Sequence, residues 1–367
     1  MQKSLRILHI IPALNYSGGM ESYVMNYYRN IDRDKVQFDF ITHTKLDCSF
    51  ENEILQNGGR VYKFPVFSMK NMPNLLQQIE EFFLEHPGYQ IIHCHMANAA
   101  PFYFYIAKKY GVKHCILHSH QPSAADTITH KLRNIPLLYL GNRMATDRIA
   151  CSKLAGDFLF RDKPFKIIRN AIDIKNFTFN PEKREKVRKE LGLANHFVIG
   201  HIGRLTAQKN QLFLLDVFNE ISSRIPNALL ILVGGGEDED RLRKRVEELQ
   251  LKAKVKFLGI RSDVNDLYQA FDFFLFPSLY EGLGIVLVEA QCAGLEVLTS
   301  RENIPQEVKL TNHLSFMSLK KGYQCWAQFV VEHAKYKRYQ DVSGIIEKGY
   351  DITREAVKLE EYYLSLT

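Results

Sequence analysis

The sequence predicts an α/β protein made of two doubly wound domains that face each other across a cleft. Three observations lead to this. Short runs rich in Ile, Val and Phe alternate with helix-like segments along most of the chain, as expected when a parallel sheet is covered on both faces. At 367 residues, 46% hydrophobic and 24% charged, the chain is long enough for two cores. The rhythm also breaks once, at a highly charged stretch, and then resumes.

In the first half the strand-like runs are RILHII, VQFDFIT, IIHCH and HCILHSH. The helical segments ESYVMNYYRNI, SFENEILQNG and FYFYIAKKYG follow the first three. The opening run sits behind Lys3 and Arg6 as a signal peptide would, but His9 interrupts it, Pro12 ends it and no small-residue cleavage pattern follows. It reads as a buried first strand. The second half repeats the pattern, with FVIGHIGRL, ALLILVGGG, VKFLGI, FFLFPS and EVLTS as strands. Its helices are QLFLLDVFNEISSRI, EDRLRKRVEELQL, DVNDLYQAF and IVLVEAQCAG. Between the halves, residues 170–193 hold a charged helix and few large apolar residues, which marks a connector. The expected bounds are a first domain over 1–172, a linker over 173–194 and a second domain over 195–349. The terminal segment 350–367 has helical periodicity that fits a terminal cap.

Composition removes several function classes. The six cysteines show neither a CxxC pair nor metal-ligand spacing, so reduced thiols in a cytosolic protein are expected, without disulfides or zinc. No apolar run approaches the roughly 20 residues needed to span a bilayer. The acidic motifs DRD at 32–34 and EDED at 237–240 read as solvated charges at helix ends, so no metal site is expected. VGGGEDED follows a strand but lacks the GxGxxG spacing of a dinucleotide site. The net charge of +7 is concentrated: residues 98–175 hold 13 Lys and Arg against 5 Asp and Glu, while the rest of the chain holds 35 and 36. That region, aromatic as well as basic, fits an anionic membrane surface as well as it fits a core helix with solvated lysines.

In doubly wound sheets ligands bind beyond the carboxyl ends of the strands. After FFLFPS, the stretch YEGLGIVLVEAQCAG runs from a loop into a helix starting near Gly284. The free N–H groups at such a helix start favour a phosphate, and Gly282 and Gly284 let a ligand approach the backbone. Glu281 precedes the helix and Glu289 lies in its second turn. A carboxylate among Val286, Leu287 and Val288 needs a partner, and a sugar diol can satisfy it with two hydroxyls at once. The plainer reading is a pair of solvated glutamates. Upstream, IGHIGRLTAQKNQ delivers Arg204 and Lys209 to the end of another strand, where they fit a diphosphate clamp or surface ion pairs. In the first half, Gly18 and Gly19 open the first helix, as a phosphate-facing turn or simply a tight one. His118 and His120 end the HCILHSH strand, in structural or functional roles.

Taken in order, GGMES, HSHQ, NAIDIKNF, GRLTAQKN, VGGGED, FLG and EGLGIVLVEA resemble glycosyltransferase family 4, the retaining nucleotide-sugar transferases of GT-B fold, with two Rossmann-like domains. HSHQ, NAID and SRENIPQEV are similar to the branch that builds bacterial exopolysaccharide and capsule. The resemblance implies that Glu289 binds the ribose hydroxyls and Glu281 contacts the donor sugar. It implies that Arg204 and Lys209 hold the diphosphate, helped by amides around Leu283, Gly284 and Ile285. His120, or else His118, would touch the sugar near the reaction centre, Gly18 and Gly19 would close over the phosphates or acceptor, and Ile260 and Arg261 would border the base. It further implies that the terminal segment 350–367 is a helix packing back on the first domain. Ala171 after Asn170, Gln121 after His120 and Glu296 after the AGL turn depart from the usual pattern without removing a chemical group. The activity implied is a metal-independent, retaining hexosyltransferase without cofactor, acting at the inner face of the cytoplasmic membrane. Its partners would be a UDP-sugar and a polyprenyl-diphosphate-linked saccharide, with no nucleic acid. A GT-B sugar-nucleotide epimerase and a non-catalytic partner subunit are the alternatives.

Overall fold

The computed structural model of the protein describes residues 4–15, 18–44, 49–124 and 128–367. The chain divides into two compact units: Met20–Ala171 joins the first strand and Ile352–Thr367 in one, and Ile172–Asp351 with Gly18 and Gly19 makes the other.

The first unit contains β1 (Leu5–Ile11), β2 (Val36–Thr42), β3 (Arg60–Lys63), β4 (Ile91–Cys94), β5 (His114–Ser119), β6 (Asp147–Ala150) and β7 (Lys166–Ile167). They form one parallel sheet in the order β3-β2-β1-β4-β5-β6-β7. Residues alternate between faces. Leu8, Ile10, Ile92, Cys115 and Leu117 pack on one side with the helices Met72–Glu85 and Ala100–Lys109. Ile7, Phe38, Phe40, Ile91 and Ile116 pack on the other with the helix Gly19–Asn30. The terminal helix Ile352–Leu364 adds Ile352, Ala356, Leu359 and Tyr363 to that second face, and Lys35 reaches its Glu360 at 3.0 Å.

The second unit repeats the design. β8 (Phe197–Ile202), β9 (Ala228–Val233), β10 (Val255–Phe257), β11 (Phe273–Phe276), β12 (Glu296–Ser300) and β13 (Leu314–Met317) run parallel in the order β10-β9-β8-β11-β12-β13. Its core gathers Ile199, Leu230, Leu275 and Leu298 with the helices Gln211–Arg224 and Gly322–His333, including the buried Trp326. Residues 173–194, read from the sequence as a connector, belong to this unit. Their apolar residues are few because charged hydrogen bonds hold them: Arg188 donates to Asp272 at 3.0 Å and to the Leu193 carbonyl at 2.7 Å, and Arg184 also pairs with Asp272.

In each sheet the chain lays strands outward in one direction, then returns to the centre and continues in the other. The reversal falls between β1 and β4 in the first unit and between β8 and β11 in the second. At such a point the loops leaving adjacent strands diverge and open a crevice for ligands.

Candidate active site

In the second unit, β8 and β11 bring their following loops together. Lys209 stands at the end of the short 3-10 turn Ala207–Lys209, and its Nζ lies 2.5 Å from Glu281 Oε1. The Ser278 hydroxyl donates to the same oxygen at 2.6 Å. The backbone N–H of Glu281 is held by the Asn303 carbonyl at 3.0 Å. At 6% exposure Glu281 is a paired, buried carboxylate, so the solvated-surface reading does not apply to it. Lys209 Nζ also sits 5.0 Å from the Phe276 ring centroid, a favourable place for a cation.

Glu289 is 7% exposed. It lies on the helix Ile285–Cys292, which begins after Gly284 in the left-handed conformation (φ 80°) and stops before Gly294 (φ 67°). Tyr268 donates to its Oε2 at 2.9 Å. Burial pushes the Glu289 carboxyl up to about 7, against the Tyr268 hydrogen bond, which draws it down. Tyr268 is steadied in turn by Arg338, whose guanidinium donates to the Tyr268 carbonyl at 2.9 Å and stacks on Phe179 at 4.5 Å. Burial lowers the Arg338 pKa to about 9.

The glycine run after β9 holds the Arg204 loop. Leu205 N–H donates to the Gly235 carbonyl at 2.9 Å and Asp238 N–H to the Leu205 carbonyl at 3.0 Å. A Cβ on Gly234 would stand 2.1 Å from the Gly203 oxygen, and one on Gly236 2.3 Å from the Leu205 oxygen. Only glycine permits this backbone contact. Arg204 itself is exposed. Leu283 is buried, Ile285 starts the helix, Ile260 is 57% exposed and Arg261 pairs with Asp263 at 2.6 Å.

Gly18 is half-buried and Gly19 begins the first helix; both group with the second unit, whereas Tyr16 and Ser17 of the same motif lie outside the described residues. His118 and His120 belong to a group of five histidines. His9 and His93 are register partners across β1 and β4, and the spacing of HCH and HSH puts alternate residues on one face. His118 is buried at 1% exposure, and its Nδ1 lies 3.0 Å from His93 Nε2. Tyr363 Oη lies 2.6 Å from His93 Nδ1. A second string joins His9 Nδ1 to His95 Nε2 at 3.0 Å and His95 Nδ1 to His120 Nε2 at 2.8 Å. Burial depresses all five imidazoles, His120 to about 3, so each is neutral at physiological pH. His118 is thus interior, and His120 lies at the partly exposed edge of the group.

Two histidine triplets, His9-His93-His95 and His95-His118-His120, bring nitrogens within 4.8 Å of one another, close enough to share a metal ion. The cysteine spacing and the acidic motifs read from the sequence leave these histidines out. Those motifs form local ion pairs here, Asp32 with Lys35 and Glu239 with Arg243. The paired H-x-H spacing was the available signal for the histidine cluster. Tyr268, Arg338 and Tyr363 carry no such signal, because each acts through a contact 21 or more residues away in sequence; Ser278, three residues before Glu281, reads in sequence as an ordinary strand-end serine. None of the five cysteines among the described residues is in a disulfide.

Two parallel doubly wound sheets, one in each unit, are the architecture of the GT-B fold. The description "Glycosyl transferase 4-like domain" matches residues 18–165, and "Glycosyl transferases group 1" matches residues 183–313. The relative named "Putative glycosyltransferase EpsF" in Bacillus subtilis (strain 168) is 31% identical over 98% of this chain and 96% of its own. The chain belongs to the group 1 glycosyltransferases of family 4, a retaining family. The capsular polysaccharide biosynthesis glycosyltransferase CapH of Staphylococcus aureus is 23% identical over 99% of both chains. An Escherichia coli UDP-Gal:α-D-GlcNAc-diphosphoundecaprenol α-1,3-galactosyltransferase is 29% identical over 64% of this chain and 63% of its own. The crystal structure of Anabaena HepE in complex with UDP shares the fold, with a TM-score of 0.76 at 23% identity, covering 98% of this chain and 100% of that one. Among the described residues no helix is long and apolar enough to cross a membrane.

Proposed function

We propose that the protein moves a hexose, with retention, from a UDP-sugar to a polyprenyl-diphosphate-linked saccharide during cell-surface polysaccharide assembly. The observation that carries this reading is the buried pair of carboxyls, Glu281 held by Lys209 and Ser278, and Glu289 held by Tyr268. Neither is a surface charge, and each keeps lone pairs suited to hydroxyl groups. In this reading Glu289 takes the ribose diol, Glu281 orients the sugar and Arg204 with Lys209 holds the diphosphate. Amides near Leu283, Gly284 and Ile285 assist, Ile260 and Arg261 flank the base, and His120 approaches the sugar with Gly18 and Gly19 nearby.

The bond from the anomeric carbon to the diphosphate oxygen breaks while the acceptor oxygen bonds to the same face. The acceptor proton passes to the departing diphosphate. Positive charge and oriented donors stabilise that leaving group as it forms, and positioning supplies most of the rest. No step calls on a metal ion.

The acceptor's lipid is supported by the relative that acts on a diphosphoundecaprenol-linked sugar, and by one surface of the first unit. There the helix Ile128–Met144 exposes Leu132, Ile135, Tyr139 and Leu140 beside Arg133 and Arg143. A cavity of about 690 Å³ next to it is lined by Ile135, Leu138 and Phe158 with Arg143 and Lys163. An apolar stripe rimmed by cations suits an anionic lipid surface, and the site of action is then the inner face of the membrane.

The test is calorimetry with nucleotides and nucleotide sugars on the wild type, Glu289→Ala and Arg204→Ala, followed by product analysis with lipid-linked acceptors. One UDP-sugar should bind, and both substitutions should weaken it at least about tenfold. Donor conversion without acceptor would identify an epimerase instead. No binding of any nucleoside diphosphate would favour a partner subunit. Vesicles containing anionic lipid should retain the protein at low salt and release it at high salt.

A further inference from the structure

Five neutral histidines in one interior leave little freedom about where their protons sit. A neutral imidazole has one N–H and one bare nitrogen, so a chain of them can run in only one direction at a time. In the string Tyr363–His93–His118 the direction is set at one end. Tyr363 is fully buried, and burial keeps its hydroxyl protonated. That hydroxyl lies 2.6 Å from His93 Nδ1. A phenol so placed donates: among the described residues its proton has no other acceptor, and a proton on His93 Nδ1 would leave that buried O–H unsatisfied. His93 then carries its proton on Nε2 and donates to His118 Nδ1 across 3.0 Å.

We infer that Tyr363 is a positioning residue that fixes His118 as the Nε2–H tautomer, through His93. His118 therefore turns an N–H, not a lone pair, outward from the string. Among the described residues this nitrogen has no hydrogen-bond partner, nor do the neighbouring Tyr23 hydroxyl and His120 Nδ1. The Tyr23 ring centroid stands 5.0 Å from that of His118 and 5.5 Å from that of His120. A donor there suits an oxygen such as a sugar hydroxyl or a phosphate oxygen, and it excludes His118 as acceptor of a proton from a hydroxyl group. That use rests on the transferase reading, but the tautomer does not. The parallel string His9–His95–His120 has no phenol at its end: His9 Nε2 is unpaired, so nothing fixes its direction. It serves as an internal control.

The experiment is nitrogen NMR of the full chain labelled with 15N-histidine, with signals assigned through His93→Gln, His118→Gln and His120→Gln. The wild type should show His118 with a pyridine-type Nδ1 and a pyrrole-type Nε2. Tyr363→Phe, which deletes one oxygen, should remove that single-tautomer pattern and leave His120 unchanged. A His118 protonated on Nδ1 in the wild type overturns the inference. So does a pattern untouched by Tyr363→Phe, or a change at His120 as large as at His118, which would assign the effect to packing. If Tyr363→Phe does not fold, the wild-type pattern decides alone. Donor affinity of Tyr363→Phe is read separately: an altered tautomer with unaltered affinity keeps the inference and removes His118 from the donor contact.

Discussion

Glu289 and Lys209 concentrate the electrostatics of the second unit. The Glu289 carboxyl releases its proton near 4.5 in the unfolded chain and near 7 when folded. The folded state holds more protons between these values, so stability falls as pH rises through that window, by about 3 kcal/mol, and levels off above it. Glu289→Gln should flatten that slope in urea titrations followed across pH. A diol prefers the carboxylate, so UDP affinity should rise about tenfold from about pH 6 to about pH 8 in the wild type, as calorimetry would detect. Lys209→Met would leave Glu281 with the Ser278 hydroxyl as its side-chain donor. A cost of about 3 kcal/mol is expected, smaller in the double variant with Glu281→Gln, and measurable by chemical denaturation.

Among the elements, the glycine loop after β9 is the most demanding. Gly234 has φ 131°, and a Cβ there would stand 2.1 Å from the Gly203 oxygen. Gly234→Ala should therefore lower stability by about 3 kcal/mol. It should also weaken nucleotide binding through displacement of the Arg204 loop, an effect that Gly192→Ala, at φ 65° with open space around it, should not share. The long apolar strands were legible because their runs are continuous. RVYK, DRIA, KI and LSFM, which form β3, β6, β7 and β13, were not. They span two to four residues with polar positions, and pairing with a neighbour makes them strands. Glu281, Glu289, Arg204 and Lys209 could be picked out because strand ends and glycines flag them. That Lys209 would pair with Glu281 could not, since 72 residues separate the partners.

At the scale of the whole molecule, each unit owns its core, but the first is discontinuous in sequence. Removing residues 352–367 would strip Ile352, Ala356, Leu359 and Tyr363 from a fully buried cluster. In hydrogen exchange, the truncated protein should lose protection across β1, β2 and β4 while the strands of the second unit keep theirs. Unchanged protection in the first unit would mean that the terminal helix is a dispensable cover. The linker expectation failed at this scale because a charged sequence looks solvated until its partners are known, here the single carboxylate of Asp272 gripped by Arg184 and Arg188. The terminal helix also orders events at the ribosome. Domains form as their residues emerge, and residues 172–351 emerge ahead of the helix Ile352–Leu364. The first unit waits, its histidine-lined interior uncovered, until Tyr363 leaves the exit tunnel and the helix can close over it.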